Sequence, residues 1–183
     1  MRTISQPQHD DDQTHLLCLA PDLSAWAGKP TLVIAVLQTV QEVAEEKLRP
    51  VASMPDGTRL PSRMMLTLLT YCYAVGSYRS RNIEAGIHHD PVIRYLCGNY
   101  CPDSNLIRSF RFENRTVIEH CLERVCLVLW RLKFKRWPLN GHAQLAPRFS
   151  LFPYRIDPTF RMQIATEVRE RLDRAEYLDK SLS

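Results

Sequence analysis

An apolar stripe at helical spacing, which continues for about thirty residues, constrains this fold more than any other feature of the sequence. Its members recur every three or four positions, as they do on one face of an α-helix. Pro102-Asp103 provides a helix start and Trp137-Pro138 a helix stop. The stripe consists of Ile107, Phe110, Asn114, Val117, Cys121, Val125, Val128, Leu129 and Leu132, among which only Asn114 is polar. The sequence therefore predicts one long helix from Asp103 to about Lys135.

Four further helices are predicted ahead of the long one. The same apolar spacing predicts a helix from Thr31 to about Leu48, and another from Pro61 to a stop at Gly76. Start signals then predict two short helices before the long helix begins. Ser80 is expected to cap the first of these, whereas Asp90-Pro91 opens the second and Gly98 closes it.

The C-terminal part of the chain has a different character. Residues 138–160 are rich in Pro and aromatic side chains, which predicts an extended arm. A charged helix from Thr159 to Leu178 follows, and its apolar face consists of Phe160, Ile164, Val168, Leu172 and Ala175. The predicted fold class is all-α, with a flexible acidic arm at residues 1–15, a helical domain at 16–137, and the extended arm with the C-terminal helix at 138–183.

Charge is distributed unevenly along the 183 residues. Residues 1–59 hold five Lys and Arg against eight Asp and Glu, whereas residues 60–137 hold twelve against six. A basic middle segment is compatible with a polyanionic partner, although ordinary scatter of surface charge gives similar counts. The N-terminus lacks the basic and then apolar pattern of a secretory signal, and no apolar run approaches the ~20 residues that a bilayer requires. We therefore expect a cytoplasmic protein without membrane contact.

Six cysteines raise the question of a metal site. Cys97 and Cys101 are separated by three residues, and Cys121 and Cys126 by four, whereas structural zinc sites usually contain a two-residue gap. Cys121 and Cys126 would also point in different directions from one helix. We therefore expect reduced thiols that serve as small core side chains, and no metal or other cofactor.

Three arginines form a second face on the long helix. Arg108, Arg111 and Arg115 lie at positions i, i+3 and i+7, which places their guanidinium groups along one side of the first turns. Arginine binds phosphate or guanine with a planar fork of donors. The alternative is a solvated helix whose arginines pair with acidic residues of the same helix, namely Glu113, Glu119 and Glu123.

Polar residues next to this basic stripe complete a candidate DNA-binding site. Ser104 and Asn105 stand at the helix start, where free N–H groups can bind a phosphate and Asn can hydrogen-bond an adenine edge. Arg79 and Arg81, around the start of the short third helix, could contact backbone phosphates. A short helix, a turn and a longer helix with a basic flank resemble a helix-turn-helix unit. The predicted DNA-binding residues are Arg79, Arg81, Ser104, Asn105, Arg108, Arg111 and Arg115.

The same region resembles the N-terminal domain of InsH-like bacterial insertion-sequence transposases. The similarity lies in PSRMMLTLLTYCYAVG (61–76), YRSRNIE (78–84), DPVIRYLCGN (90–99), Pro102-Asp103 and IRSFR (107–111), and the order and gaps agree over residues 60–132. The resemblance implies a helical domain that binds the terminal inverted repeats of an insertion element as double-stranded DNA.

The family also implies a following RNase H-like domain with three metal-binding carboxylates, and here the sequence departs from the pattern. Between Trp137 and the C-terminal helix the only Asp is Asp157, and no alternating strand pattern accompanies it. Asp56-Gly57-Thr58 has the letters of the catalytic motif but lies upstream, in a predicted turn. We therefore expect no catalytic residues and no enzyme activity in this chain.

Three functions are compatible with the sequence. The first is a DNA-binding protein of the bacterial nucleoid, which recognises inverted repeats and regulates transposition, alone or in oligomers with full-length transposase. The second is a protein-interaction or homo-oligomerisation module that uses the C-terminal helix. The third is the first reading frame of a split transposase.

Overall fold

The structure is a computed structural model of the chain, and it describes residues 20–50, 57, 59–98, 100–134 and 158–181. The predicted arm at residues 1–15 and Asp56 lie outside these ranges, as do residues 138–157 of the arm predicted at 138–160, whereas residues 158–160 belong to a helix. The described residues form seven α-helices and one 3-10 turn, and they contain no β-strand, which confirms the all-α prediction. The elements are α1 (Leu23–Ala27), α2 (Lys29–Gln41), the 3-10 turn (Glu45–Lys47), α3 (Ser62–Ala74), α4 (Ser80–His89), α5 (Pro91–Cys97), α6 (Ser104–Phe134) and α7 (Pro158–Lys180).

The long helix α6 lies at the centre of the packing and contacts α2, α3, α4 and α7. Its inward face is buried and consists of Ile107, Phe110, Ile118, Cys121, Leu122, Val125 and Leu129. The helix α3 is enclosed on nearly all sides, since every residue from Met65 to Ala74 is buried. The core therefore lies around α3 and α6. Within the described ranges, no helix is both long enough and apolar enough to cross a membrane.

Local start and stop signals place α5 as predicted. The Asp90 Oδ1 accepts a hydrogen bond from the N–H of Val92 at 2.8 Å, and Pro91 is the first helical residue. Gly98 follows the helix with a φ of +61°, which favours glycine. Gly76 ends α3 in the same manner, with a φ of +80°.

The helix α2 is shorter than predicted, because it ends at Gln41 rather than near Leu48. Val43 and Leu48 are nevertheless buried, so the apolar spacing continues into the core after the helix has ended. The Val43 carbonyl oxygen accepts a hydrogen bond from the Arg63 Nη2 at 3.1 Å. If α2 continued, this carbonyl oxygen would accept a hydrogen bond from a backbone N–H of the same helix, whereas here it accepts one from a side chain of α3.

The helix α6 is kinked at Asn114, where the backbone is not helical (φ −115°, ψ 17°). The buried Asn114 side chain accepts a hydrogen bond from the Arg49 N–H at 2.7 Å and donates one to the Phe110 carbonyl oxygen at 3.1 Å. The polar member of the predicted stripe is therefore satisfied by backbone groups. Its insertion beside the hydrogen-bond ladder of the helix accounts for the kink.

The C-terminal helix α7 packs antiparallel to α6. Arg111 pairs with Asp179 near one end, and the rings of Trp130 and Phe160 lie 5.4 Å apart near the other. The predicted apolar face is confirmed, because Phe160, Ile164, Val168, Leu172 and Ala175 are all buried. The buried Arg171 guanidinium donates to carbonyl oxygens at the C-terminal end of α3. The chain thus uses this face internally, and the oligomerisation hypothesis cannot rest on it.

Candidate functional site

The helix α7 covers one of the predicted DNA-binding arginines completely. Arg111 is only 3% exposed, and its Nη2 donates to the Asp179 Oδ2 at 2.6 Å. Its Nη1 donates to the Tyr73 hydroxyl oxygen at 3.1 Å. The Ser80 N–H and hydroxyl donate to the same Asp179 carboxylate. Ser80 is the first residue of α4 rather than the predicted cap, because the cap position is Arg79. An enclosed guanidinium cannot reach a phosphate, so direct DNA contact by Arg111 does not fit this arrangement.

Hydrogen bonds keep both members of this buried pair charged. Burial alone would raise the pKa of Asp179, but hydrogen bonds from Ser80 and Arg111 hold the pKa of that carboxyl below its ordinary value. Burial likewise opposes the charge of Arg111, but its interactions with Tyr73 and Asp179 raise its pKa. The pair is neutral as a unit. It therefore joins α4, α6 and α7 without adding positive charge to the surface.

Arg115 is also held within the fold. Its Nε donates to the Glu119 Oε1 at 2.9 Å and its Nη2 to the Asp173 Oδ1 at 2.7 Å, while Nη1 donates to Glu176. Partial burial opposes its charge, but these hydrogen bonds raise the pKa of Arg115. Pairing with Glu119 was the alternative open from the sequence. Three carboxylates around one guanidinium leave a net negative charge, which disfavours a phosphate at this position.

Arg108 is partly exposed, and its hydrogen-bond partner is an amide oxygen rather than a carboxylate. Its Nη2 donates to the Oδ1 of Asn105, one turn earlier on α6. Asn105 itself is exposed. The contact orients the Arg108 guanidinium at the N-terminal end of the helix, next to α4.

A small surface concavity lies where the N-terminal ends of α4 and α6 meet the C-terminal end of α7. It is lined by Arg79, Ser80, Arg81, Ser104, Arg108, Leu178 and Asp179. Four of the predicted DNA-binding residues, Arg79, Arg81, Ser104 and Arg108, are therefore brought together here from two segments of the chain. Asn105 adjoins them, whereas Arg111 and Arg115 face α7.

The concavity is electropositive and rich in donors. Three arginines line it, against two nearby carboxylates: Asp179, which pairs with Arg111, and Glu84, which accepts a hydrogen bond from the Ser104 N–H. The Nε of Arg79 is buried and, among the described residues, has no hydrogen-bond partner. The Ser104 N–H is bonded to the Glu84 Oε2 at 3.1 Å, so it is not the free helix-start donor that the sequence predicted. Arginine side chains gathered at one surface site can bind an oxyanion such as a phosphate.

Sequence reasoning missed the part that α7 plays in this site. Asp173, Glu176 and Asp179 recur every third residue near the end of the chain. Residues three apart share a helix face, so this spacing was a signal that the last helix meets a basic partner. The partner is the arginine stripe of α6.

Among the described residues, no group of three or more His, Cys, Asp or Glu side chains is placed to hold a metal ion. Cys72, Cys97, Cys121 and Cys126 are buried, as predicted, whereas Cys101 is exposed and Cys18 lies outside the described residues. Burial raises the pKa of Cys97 to about 12 and that of Cys121 to about 11. These two thiols are therefore protonated core side chains.

Comparison with protein families gives a match to the transposase domain DUF772 over residues 24–113. The matched residues run from α1 into the first part of α6, so this segment of the chain is a transposase-family domain. The comparison with curated proteins gives no match. The comparison with solved structures gives none either.

Proposed function

We propose that this chain binds double-stranded DNA and recognises the terminal inverted repeats of an insertion element. The observation behind the proposal is the concavity, where Arg79, Arg81 and Arg108 meet within and beside a transposase-family domain. Contacts between arginines and backbone phosphates fix the position and orientation of a protein on a duplex. A protein with this activity would act at the bacterial nucleoid in the cytoplasm.

In the proposed complex, a backbone phosphate occupies the concavity. Arg79 and Arg81 approach it from the start of α4 and Arg108 from α6. Ser104 contributes its hydroxyl, because its N–H is already bonded to Glu84. Asn105, which is exposed at the same end of α6, would hydrogen-bond an adenine edge.

The proposed activity is binding without cleavage at this site. The carboxylate on the concavity, Asp179, is already bound by Arg111 and Ser80. The site therefore offers arginine donors rather than the clustered carboxylates that two-metal phosphoryl transfer employs. A protein that occupies the repeats in this way competes with a transposase for the ends of the element, and regulation of transposition is the role that we propose.

Fluorescence anisotropy on a labelled duplex of the terminal inverted repeat, with a scrambled duplex as reference, tests this function. We expect the repeat to bind at least about a thousandfold more tightly than the scramble. Each of Arg79→Ala, Arg81→Ala and Arg108→Ala should reduce the slope of log affinity against log salt by about one.

The matched control is Arg124→Ala, which removes another arginine of α6 that pairs with Glu42 away from the concavity. This variant should leave affinity and salt slope unchanged. Equal affinity for repeat and scramble would contradict sequence-specific recognition. A preference for the repeat with unchanged slopes in the three concavity variants would instead contradict the proposed site.

A further inference from the structure

An aromatic side chain stands in solvent beside the proposed phosphate site. Phe112, on α6, is 82% exposed, although the helix buries most of its other large apolar side chains. Asn105 and Ser109 lie seven and three residues earlier and share its helix face. Both are exposed, so the three side chains form a continuous outward face at the N-terminal end of α6.

The position of this face relative to the arginines follows from the helix itself. Successive residues are rotated by about 100°, so Phe112 lies next to Arg108 around the helix and on the side away from the buried Phe110. The outward face and the concavity therefore adjoin at the same end of α6. The nearest acidic neighbour, Glu113, is exposed, and the Ser109 hydroxyl donates to its Oε1 at 3.4 Å.

We propose that Phe112 is a specificity-determining residue that contacts the 5-methyl group of a thymine in the major groove, and this inference rests on the proposed DNA binding. Thymine is the base that presents an apolar group at the floor of that groove, and phenylalanine is among the side chains that contact it. Amide and hydroxyl groups on the same face match the donors and acceptors of neighbouring base edges. In this complex Arg108 binds the adjacent backbone phosphate and so fixes how deeply α6 enters the major groove.

The composition of the face favours DNA over another protein as the occupant. The core of a protein interface is a continuous apolar patch depleted in charge. Phe112 instead stands alone among polar and charged side chains of the first turns of α6, including Asn105, Ser109 and Glu113. Positive charge at the adjoining concavity complements a phosphate backbone.

The test replaces each thymine of the inverted-repeat duplex, one at a time, by deoxyuridine, which pairs in the same way but lacks the methyl group. For the wild-type chain, we expect about a fourfold loss of affinity at one or two positions, the value of one methyl-sized group removed from water. Phe112→Ala should bind the thymine duplex at least about fourfold more weakly and should not distinguish uracil from thymine there. Phe112→Leu, which remains apolar, should still distinguish them.

Two further readouts separate base reading from other roles. Because Phe112 is exposed, Phe112→Ala should unfold at the wild-type temperature and keep the wild-type salt slope, unlike Arg108→Ala. The proposal is overturned if no uracil position weakens binding, or if Phe112→Ala keeps the full uracil effect. A wild-type chain that prefers the repeat but ignores the methyl groups defeats this inference alone, whereas a chain without preference for the repeat defeats the proposed function as well.

Discussion

Removal of the Asp179 carboxylate should destabilise the fold far more than removal of any exposed acidic residue of α7. In Asp179→Ala the Arg111 guanidinium stays buried, with the Tyr73 hydroxyl at 3.1 Å and the Ser80 hydroxyl at 3.4 Å as its remaining polar neighbours. The Ser80 N–H loses its acceptor as well. The side chains of Arg111 and Asp179 are 4% and 7% exposed, so the ion pair is largely shielded from water in the folded chain.

The expected loss in the free energy of unfolding is about 3 to 5 kcal/mol, the range for one partner removed from a buried ion pair. Urea unfolding followed by helical circular dichroism at neutral pH measures it. The matched control is Asp173→Ala, which removes a contact of Arg115 at 2.7 Å but at a side chain that is 66% exposed. Screening by solvent limits that loss to less than about 1 kcal/mol.

The same variant has a predictable pH dependence. The pKa of Asp179 is lower in the folded chain than in the unfolded chain, so its stabilisation is complete above the unfolded pKa. It is lost as the pH falls through the lower, folded pKa. The difference in unfolding free energy between wild type and Asp179→Ala should therefore be constant near neutral pH and should shrink in acid.

A loss below about 1 kcal/mol, equal to that of the control, would refute this reasoning. It would mean that the Arg111 guanidinium reaches water, and Arg111 would then return to the set of available DNA contacts. The double variant Arg111→Met/Asp179→Leu gives a second check, because replacing both charges by apolar side chains of similar size is often neutral or stabilising. We expect it to fold near wild-type stability and to retain DNA binding.

Two further predictions concern Asn114, whose side chain bonds backbone groups, and Gly76, whose backbone has a positive φ. Asn114→Ala leaves the Arg49 N–H without its acceptor and should lower the free energy of unfolding by about 2 kcal/mol. Ser109→Ala, on the exposed face of the same helix, should change it by less than about 0.5 kcal/mol. Urea unfolding measures both values. Gly76→Ala places a Cβ 2.7 Å from the Pro21 carbonyl oxygen at a backbone φ of +80°. The control is Gly28→Ala, where φ is +85° but the added Cβ meets open space. Gly76→Ala should therefore reduce the unfolding temperature more than Gly28→Ala, and equal reductions would show that the contact with Pro21 is unimportant.

The sequence predicted helices well where their determinants are local. The cap, the first-turn proline and the terminal glycine of α5 lie within nine residues of one another, from Asp90 to Gly98. The end of α2 was missed because Val43 and Leu48 continue the apolar spacing beyond it. Both are buried, although the helix ends at Gln41 and the Val43 carbonyl oxygen accepts a hydrogen bond from Arg63 on α3. Periodicity reports burial, which here extends beyond the helix.

The same distinction between local and non-local determinants explains which parts of the candidate site could be predicted from the sequence. Arg79, Arg81, Ser104 and Arg108 could be assigned together because each lies at a helix start beside a short connection. Periodicity also showed that Arg108, Arg111 and Arg115 share one side of α6, but it cannot say whether that side meets water or another helix. The answer comes from Asp179, which is 68 positions beyond Arg111 in the chain. Its identification requires the docking of α7, and the spacing of the acidic residues on α7 indicates a basic partner without saying which helix provides it.

The docking of α7 also determines the salt dependence that we expect for DNA binding by this chain. With α7 in place, Arg111 and Arg115 are neutralised by its carboxylates, and the positive charge available to a phosphate comes from Arg79, Arg81 and Arg108. These three arginines alone would give a salt slope of about −2.7, since each neutralised phosphate contributes about −0.9. If DNA instead displaced α7, all five arginines would contribute, and the slope would approach about −4.5. Displacement would also expose the apolar face of α7 that includes Phe160, Ile164 and Leu172, and the free energy of that exposure favours a complex in which α7 stays docked.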